Sequence, residues 1–139
     1  MIRSLAEELA PEGIRVLTLD LREPAPERTL LGRVEALVKS AASGGRVAVM
    51  VVNLEGCVDY APELAQPGGP GTAFLETANL HRELFQGACP GPLLIWMTEL
   101  LERAFVHHAP DLWHWRSHVF DLRTQIGRAS CRERVYVLV

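Results

Sequence analysis

No apolar run in this sequence approaches the roughly 20 residues that span a bilayer. The first residues, Met1-Ile2-Arg3-Ser4-Leu5, lack the basic-then-apolar layout of a secretory signal. The expected location is therefore the cytoplasm, with no membrane partner. Cys57, Cys89 and Cys131 show no CxxC spacing and are odd in number. That pattern argues against a disulfide framework and suits free thiols in a reducing compartment. Cys57 and Cys89 read as small buried hydrophobes. A basic patch is also lacking: 14 Lys and Arg stand against 17 Asp and Glu, a net charge of −3. This balance argues against nucleic acid as a main partner.

The GxxxxGK[ST] loop that cradles nucleotide phosphates occurs nowhere. Gly68-Gly69-Pro70-Gly71-Thr72 is rich in glycine, but it has no lysine and Pro70 removes a backbone donor. Without the backbone cradle and its lysine, triphosphate binding loses its main source of affinity. No Ser-His-Asp set, activated cysteine or paired-carboxylate motif can be assembled either. Internal repeats and long low-complexity stretches are missing too. The sequence thus offers no reaction, no cofactor and no metal site.

What is present is a pattern of alternating elements in a chain long enough for one domain with a hydrophobic core. Ile2, Leu5, Ala6 and Leu9 fall on one helical face, and Pro11-Glu12-Gly13 ends that helix. Ile14 to Leu21 reads as a strand. Leu30, Leu31, Val34, Leu37 and Val38 form an amphipathic helical stripe, closed by Ser43-Gly44-Gly45. Val47 to Val52 is unbroken apolar sequence, the mark of a central parallel strand buried on both faces. Residues 61–71 read as a loop. Thr72 reads as the cap of a helix carrying Leu75, Ala78, Asn79 and Arg82, which ends at Gly87. Pro92 to Met97 reads as a second buried strand, adjacent to the first. Leu100, Leu101, Ala104, Phe105 and His108 share a helical face, Pro110 opens a short helix over 111–115, and His118 to Leu122 is a last strand. Strands alternating with helices predict an α/β fold: three layers, with a mostly parallel sheet and flanking helices.

Four clusters are candidates for chemistry. Val47 to Val52 runs into Asn53-Leu54-Glu55, the layout of a Walker B strand, in which an Asp orients Mg²⁺ and a Glu polarises water. Asn53 stands at the Asp position and is a weaker ligand for a hard cation. Glu55 remains a candidate base. Thr98, with Glu99, ends the next strand, where related ATPases keep a polar sensor. His107, His108, His114 and His118 are close in sequence, but a helix–strand break is expected between His114 and His118, so they read as solvated or satisfied residues. Trp113 and Trp115, with Trp96 on the preceding strand, read as anchors of a core or an interface. Arg116 reads as a structural cation–π or salt-bridge group.

Three segments carry a resemblance: Pro11 to Leu17 (PEGIRVL), Pro92 to Trp96 (PLLIW) and Ala109 to Phe120 (APDLWHWRSHVF). Together with Asn79 to Leu84 (NLHREL), they resemble the N-terminal domain of bacterial tetratricopeptide-repeat and STAND-type proteins. That family shows a PLVLWLP strand and an APDFWxWRSGVFEF end. The resemblance spans most of residues 1–122. It implies a P-loop-NTPase-like α/β domain, degenerate in its nucleotide site and incomplete, joined to helical repeats that bind protein partners in signalling. The implied role is regulatory or scaffolding and not catalytic. The alternative is an ATP or GTP switch, with Mg²⁺, whose P-loop lies upstream of this fragment. Two departures stand out: Met97-Thr98-Glu99 replaces Leu-Pro, and His118 replaces Gly. Family members also carry one more strand before the Ile2 helix, so Met1 is expected to be an internal start.

Residues 126–139 have no such pattern. Ile126-Gly127-Arg128-Ala129-Ser130-Cys131-Arg132-Glu133-Arg134-Val135 resembles one translated frame of a common short-read sequencing adapter. The domain is therefore expected to occupy residues 1–125, with a truncation at its N-terminus implied by the resemblance. The natural protein is expected to continue past Leu122 with different residues. Residues 126–139 are expected to be non-native, to have no evolved partner in the core and to be dispensable for folding. Without their three Arg and one Glu, the charge moves from −3 to −5. Val135 to Val139 nonetheless has high β-propensity and is suited to adding on a sheet edge.

Overall fold

The computed structural model describes residues 2–41, 44–58, 69–126 and 129–138. Helix α1 (Ile2–Leu9) leads through a 3₁₀ turn to strand β1 (Ile14–Asp20), then α2 (Leu30–Ser40) and β2 (Arg46–Val52). Helix α3 (Pro70–Leu80), a 3₁₀ turn and the short α4 (Phe85–Ala88) precede β3 (Leu93–Thr98). Helices α5 (Glu99–His108) and α6 (Pro110–His114) are followed by β4 (Arg116–Ile126) and β5 (Ala129–Leu138).

The result is a mixed α/β fold around one five-stranded sheet in the order β1-β2-β3-β5-β4. β1 pairs with β2, and β2 with β3, in parallel. β5 is antiparallel to both β3 and β4. Four strands thus run in one direction and β5 alone opposes them. The two apolar runs are neighbours as expected, with Val49 opposite Leu93 and Val51 opposite Ile95. Residues 47–52 are buried throughout, on both faces of the sheet. β3 differs from its expected full burial: Leu93, Ile95 and Met97 are buried, whereas Leu94, Trp96 and Thr98 are half-buried. One face of that strand meets the helices and the other does not.

The core lies on the helix side of the sheet. Val47, Val49, Val51, Leu93, Ile95 and Met97 meet Leu30, Leu31 and Val34 of α2, Leu75 and Ala78 of α3, and Leu101, Ala104 and Phe105 of α5. The helical periods read from the sequence place most of these faces, but Leu100 is half exposed, and the helix expected to run through Arg82 to Gly87 is broken: α3 ends at Leu80, and Arg82 lies in the 3₁₀ turn before α4. The start of α3 also differs from expectation. Gly69 is its N-cap and Pro70 its first residue, because proline is preset for the first turn and loses no needed donor there. Thr72 is therefore not the cap. It is buried inside the first turn, and its hydroxyl donates to the Gly69 carbonyl at 3.2 Å. The expected loop over 61–71 lies mostly outside the described residues. No described helix is long and apolar enough to cross a membrane.

Residues 135–139 were expected to suit a sheet edge, and the strand that carries residues 135–138 is instead internal. β5 sits between β3 and β4 and not at an edge, with Ile95 opposite Tyr136 and Tyr136 opposite Val119. Val135, Tyr136 and Leu138 are buried, and Tyr136 is among the largest fully buried side chains. The alternation of Arg134, Tyr136 and Leu138 with Val135 and Val137 supplies a strand with two usable faces.

Candidate functional site

In open α/β sheets, ligands bind in the crevice outside the carboxyl ends of the parallel strands. Asp20, Asn53 and Thr98 stand at those ends of β1, β2 and β3. β1 and β2 are in register to their last residues, Asp20 opposite Val52, which brings Asp20 beside Asn53. Asn53 adopts a left-handed backbone conformation, φ 58°, tolerated by asparagine better than by most residues. Its Nδ2 donates to Asp20 Oδ1 at 2.8 Å.

Asp20 is further held by Arg22. The backbone N–H of Arg22 donates to Oδ1 at 3.0 Å, and its Nη2 donates to Oδ2 at 2.8 Å. The Arg22 guanidinium and backbone amide, then the Asn53 amide, hold the Asp20 carboxyl well below the usual carboxylate range. The loop carrying Arg22 is fixed from α2. Arg33 donates from Nε to the Glu27 carbonyl at 3.1 Å and from Nη1 to the Leu21 carbonyl at 3.3 Å. Thr29 caps the same helix by accepting from the Gly32 N–H at 3.1 Å.

Glu55 lies in the 3₁₀ turn after Asn53, with its side chain exposed. The Thr98 hydroxyl accepts from the Leu101 N–H at 3.3 Å and so caps α5. Asn53, Glu55 and Thr98 are thus at neighbouring strand ends. The central group there is Asp20, which the sequence reading missed. The missed signal was an aspartate closing a strand two residues before an arginine. Its partner Asn53 is 33 positions away and no local pattern links them.

The tryptophan segment forms a different cluster. Trp113 packs against Tyr136 with ring centroids 4.8 Å apart and against Phe105 at 6.0 Å. The Arg116 guanidinium lies 4.4 Å from the Trp113 ring centroid, within cation–π range, and donates to the Trp113 carbonyl at 2.9 Å. Trp115 lines a small apolar pocket with Phe85, Cys89, Leu93 and Leu112. Trp96 is half-buried on the opposite sheet face, opposite Val135. Two segments that carried the family resemblance also meet here. Asn79 Oδ1 accepts from the Leu112 N–H at 2.9 Å, and its Nδ2 donates to Asp111 at 3.2 Å.

The histidines do not converge. α6 ends at His114 and β4 begins at Arg116, placing the expected break between His114 and His118. His108 Nδ1 lies 3.7 Å from Glu76, and His114 Nδ1 lies 2.6 Å from the Pro110 carbonyl. Among the described residues, no group of three His, Cys, Asp or Glu could hold a metal ion. Cys89 is buried and Cys57 half-buried, and burial pushes both thiols up.

The Asp20 cluster sets a pH dependence. A carboxyl whose folded-state affinity for protons is depressed stabilises the fold above its ordinary range, and that contribution is lost as pH falls through the depressed value. Asp20→Asn should therefore be less stable than wild type at pH 7. The difference should shrink as the pH is lowered below about 4, where the carboxylate of the unfolded chain is protonated. Urea midpoints of the two proteins at pH 7 and pH 3 check this, and an equal difference at both values refutes it.

No protein-family model, curated protein or solved structure matches the chain.

Proposed function

We propose that this chain is a non-catalytic regulatory or scaffolding domain of P-loop-NTPase-like descent, part of a larger cytoplasmic protein whose helical repeats engage protein partners. The observation that carries the reading is the internal pairing at the strand ends. Asp20 takes its hydrogen bonds from Arg22 and Asn53, and Thr98 caps α5. Polar side chains poised for a phosphate or a metal ion would be left to the ligand; these are used by the fold. Asn53 at the metal-orienting position, and the lack of a lysine-bearing glycine loop in this sequence, agree with that reading. The sequence resemblance to STAND-type proteins supplies the larger context.

The exposed Glu55 beside Asn53 is the feature that favours the alternative, an ATP or GTP switch. Calorimetric titration of the chain with MgATP and MgGTP separates the two. The expected result is no saturable binding tighter than about 1 mM, equivalent to roughly −4 kcal/mol. Micromolar binding, or Mg²⁺-dependent hydrolysis that is lost in Glu55→Gln, overturns the non-catalytic reading.

A further inference from the structure

We propose that β5 holds a place in the sheet that β4 can take, and that β4 moves next to β3 when β5 is disabled. The first ground is direction. β4 is antiparallel to β5, and β5 to β3, so β4 already runs parallel to β3. A sideways shift of one strand spacing, about 4.8 Å, would seat it there without reversing the chain.

The second ground is side-chain parity. His118, Val119 and Phe120 are opposite Val137, Tyr136 and Val135, which are opposite Leu94, Ile95 and Trp96. The shift therefore sets Val119 beside Ile95 on the helix side and Phe120 beside Trp96 on the other face. No side chain changes face, so register imposes no cost.

The third ground is exposure. Val119 and Phe120 are 46% and 53% exposed in β4's present position. In the shifted position they cover the apolar surfaces that Tyr136 and Val135 cover now. The sheet becomes β1-β2-β3-β4, wholly parallel and in sequence order, with α5 and α6 as the crossover between its last two strands. The fourth ground is the resemblance of residues 126–135 to translated adapter sequence. A strand with no history of packing on β3 fills a place for which β4, in its sequence, has the matching pattern.

Engineered cysteines in the full chain test this. In the present arrangement Leu94 and His118 are two strand spacings apart, about 9–10 Å, beyond the roughly 7 Å that a disulfide tolerates. Leu94→Cys with His118→Cys should give little bridge under mild oxidation, whereas Leu94→Cys with Val137→Cys should bridge readily. Two separate changes disable β5: Val135→Pro with Tyr136→Asp, and Tyr136→Asp with Leu138→Asp. In either background the 94–118 bridge, mapped by peptide mass, should rise by at least about ten-fold as the two positions become neighbours. Circular dichroism should retain the α/β signature. If both backgrounds stay folded without gaining the bridge, β4 does not move and the proposal fails. If both lose the α/β signature, β4 cannot replace β5, and the proposal fails equally.

Discussion

Gly91→Ala should lower the urea midpoint by roughly 1.5 M, a loss on the order of 3 kcal/mol, the upper end for overpacking a packed region. A Cβ at position 91 would lie 1.8 Å from the Val47 carbonyl oxygen and 3.0 Å from its carbon. Neither atom can move aside easily. Val47 is opposite Arg15 in the β1–β2 ladder, and two residues on, the Val49 N–H donates to the Pro92 carbonyl at 3.0 Å. Relief therefore requires displacing either the start of β2 or the entry to β3, at the centre of the sheet. Gly87→Ala is the control. It lies in α4 with nothing within 4 Å of the added carbon, so relief of glycine's backbone entropy should leave it neutral or more stable by up to about 1 kcal/mol. If the two variants unfold at the same urea concentration, the close approach at Gly91 is not a constraint on folding.

Phe105→Ala should be at least as damaging, with an expected loss of 3–5 kcal/mol, the usual range for emptying a buried aromatic site. Phe105 is buried on α5 and packs against Trp113, which itself contacts Tyr136 and sits under Arg116. The cavity would open where α5, α6 and the sheet converge, and backbone on three sides limits collapse. A thermal midpoint lower by on the order of 10 °C is expected for a domain of this size. The near-ultraviolet signal of Trp113 should weaken with it. Val106→Ala on the exposed side of the same helix should change stability by less than about 0.5 kcal/mol. Equal melting of the two variants would place the core elsewhere.

These sites differ in how far they could be read from the sequence. Phe105 was legible, since its spacing from Leu101 and Ala104 is local and helical periodicity reports the buried face directly. So was β2, whose unbroken apolar residues match a strand paired and covered on both sides. Gly91 was not legible. In Pro90-Gly91-Pro92 it reads as a turn residue, whereas its constraint comes from backbone more than 40 positions away. Asp20 and Asn53 follow the same rule. Each could be seen at the end of its own strand, but their hydrogen bond depends on the parallel register of β1 and β2. The helix entry at Pro70 was misjudged because Thr72 offered a familiar cap, whereas Gly69 and Pro70 just upstream fit the cap and the first turn better. The seating of β5 was missed for a different reason. A stretch read as having no evolved role still alternates well enough to occupy a strand.

The strand order also has a kinetic meaning. Ile14 meets Arg46, and Val49 meets Leu93, only after a full crossover has been ordered between them. Ile126 pairs with Ala129, so the β4–β5 hairpin closes over a very short separation. Hairpins form in about 1–10 μs, whereas pairings of large sequence separation must first meet the entropy of closing long loops. The hairpin should therefore exist before β3 has been laid beside β2, and it arrives at the sheet as a finished unit offering one of two edges. Which strand ends up against β3 is then decided by a docking event between preformed parts.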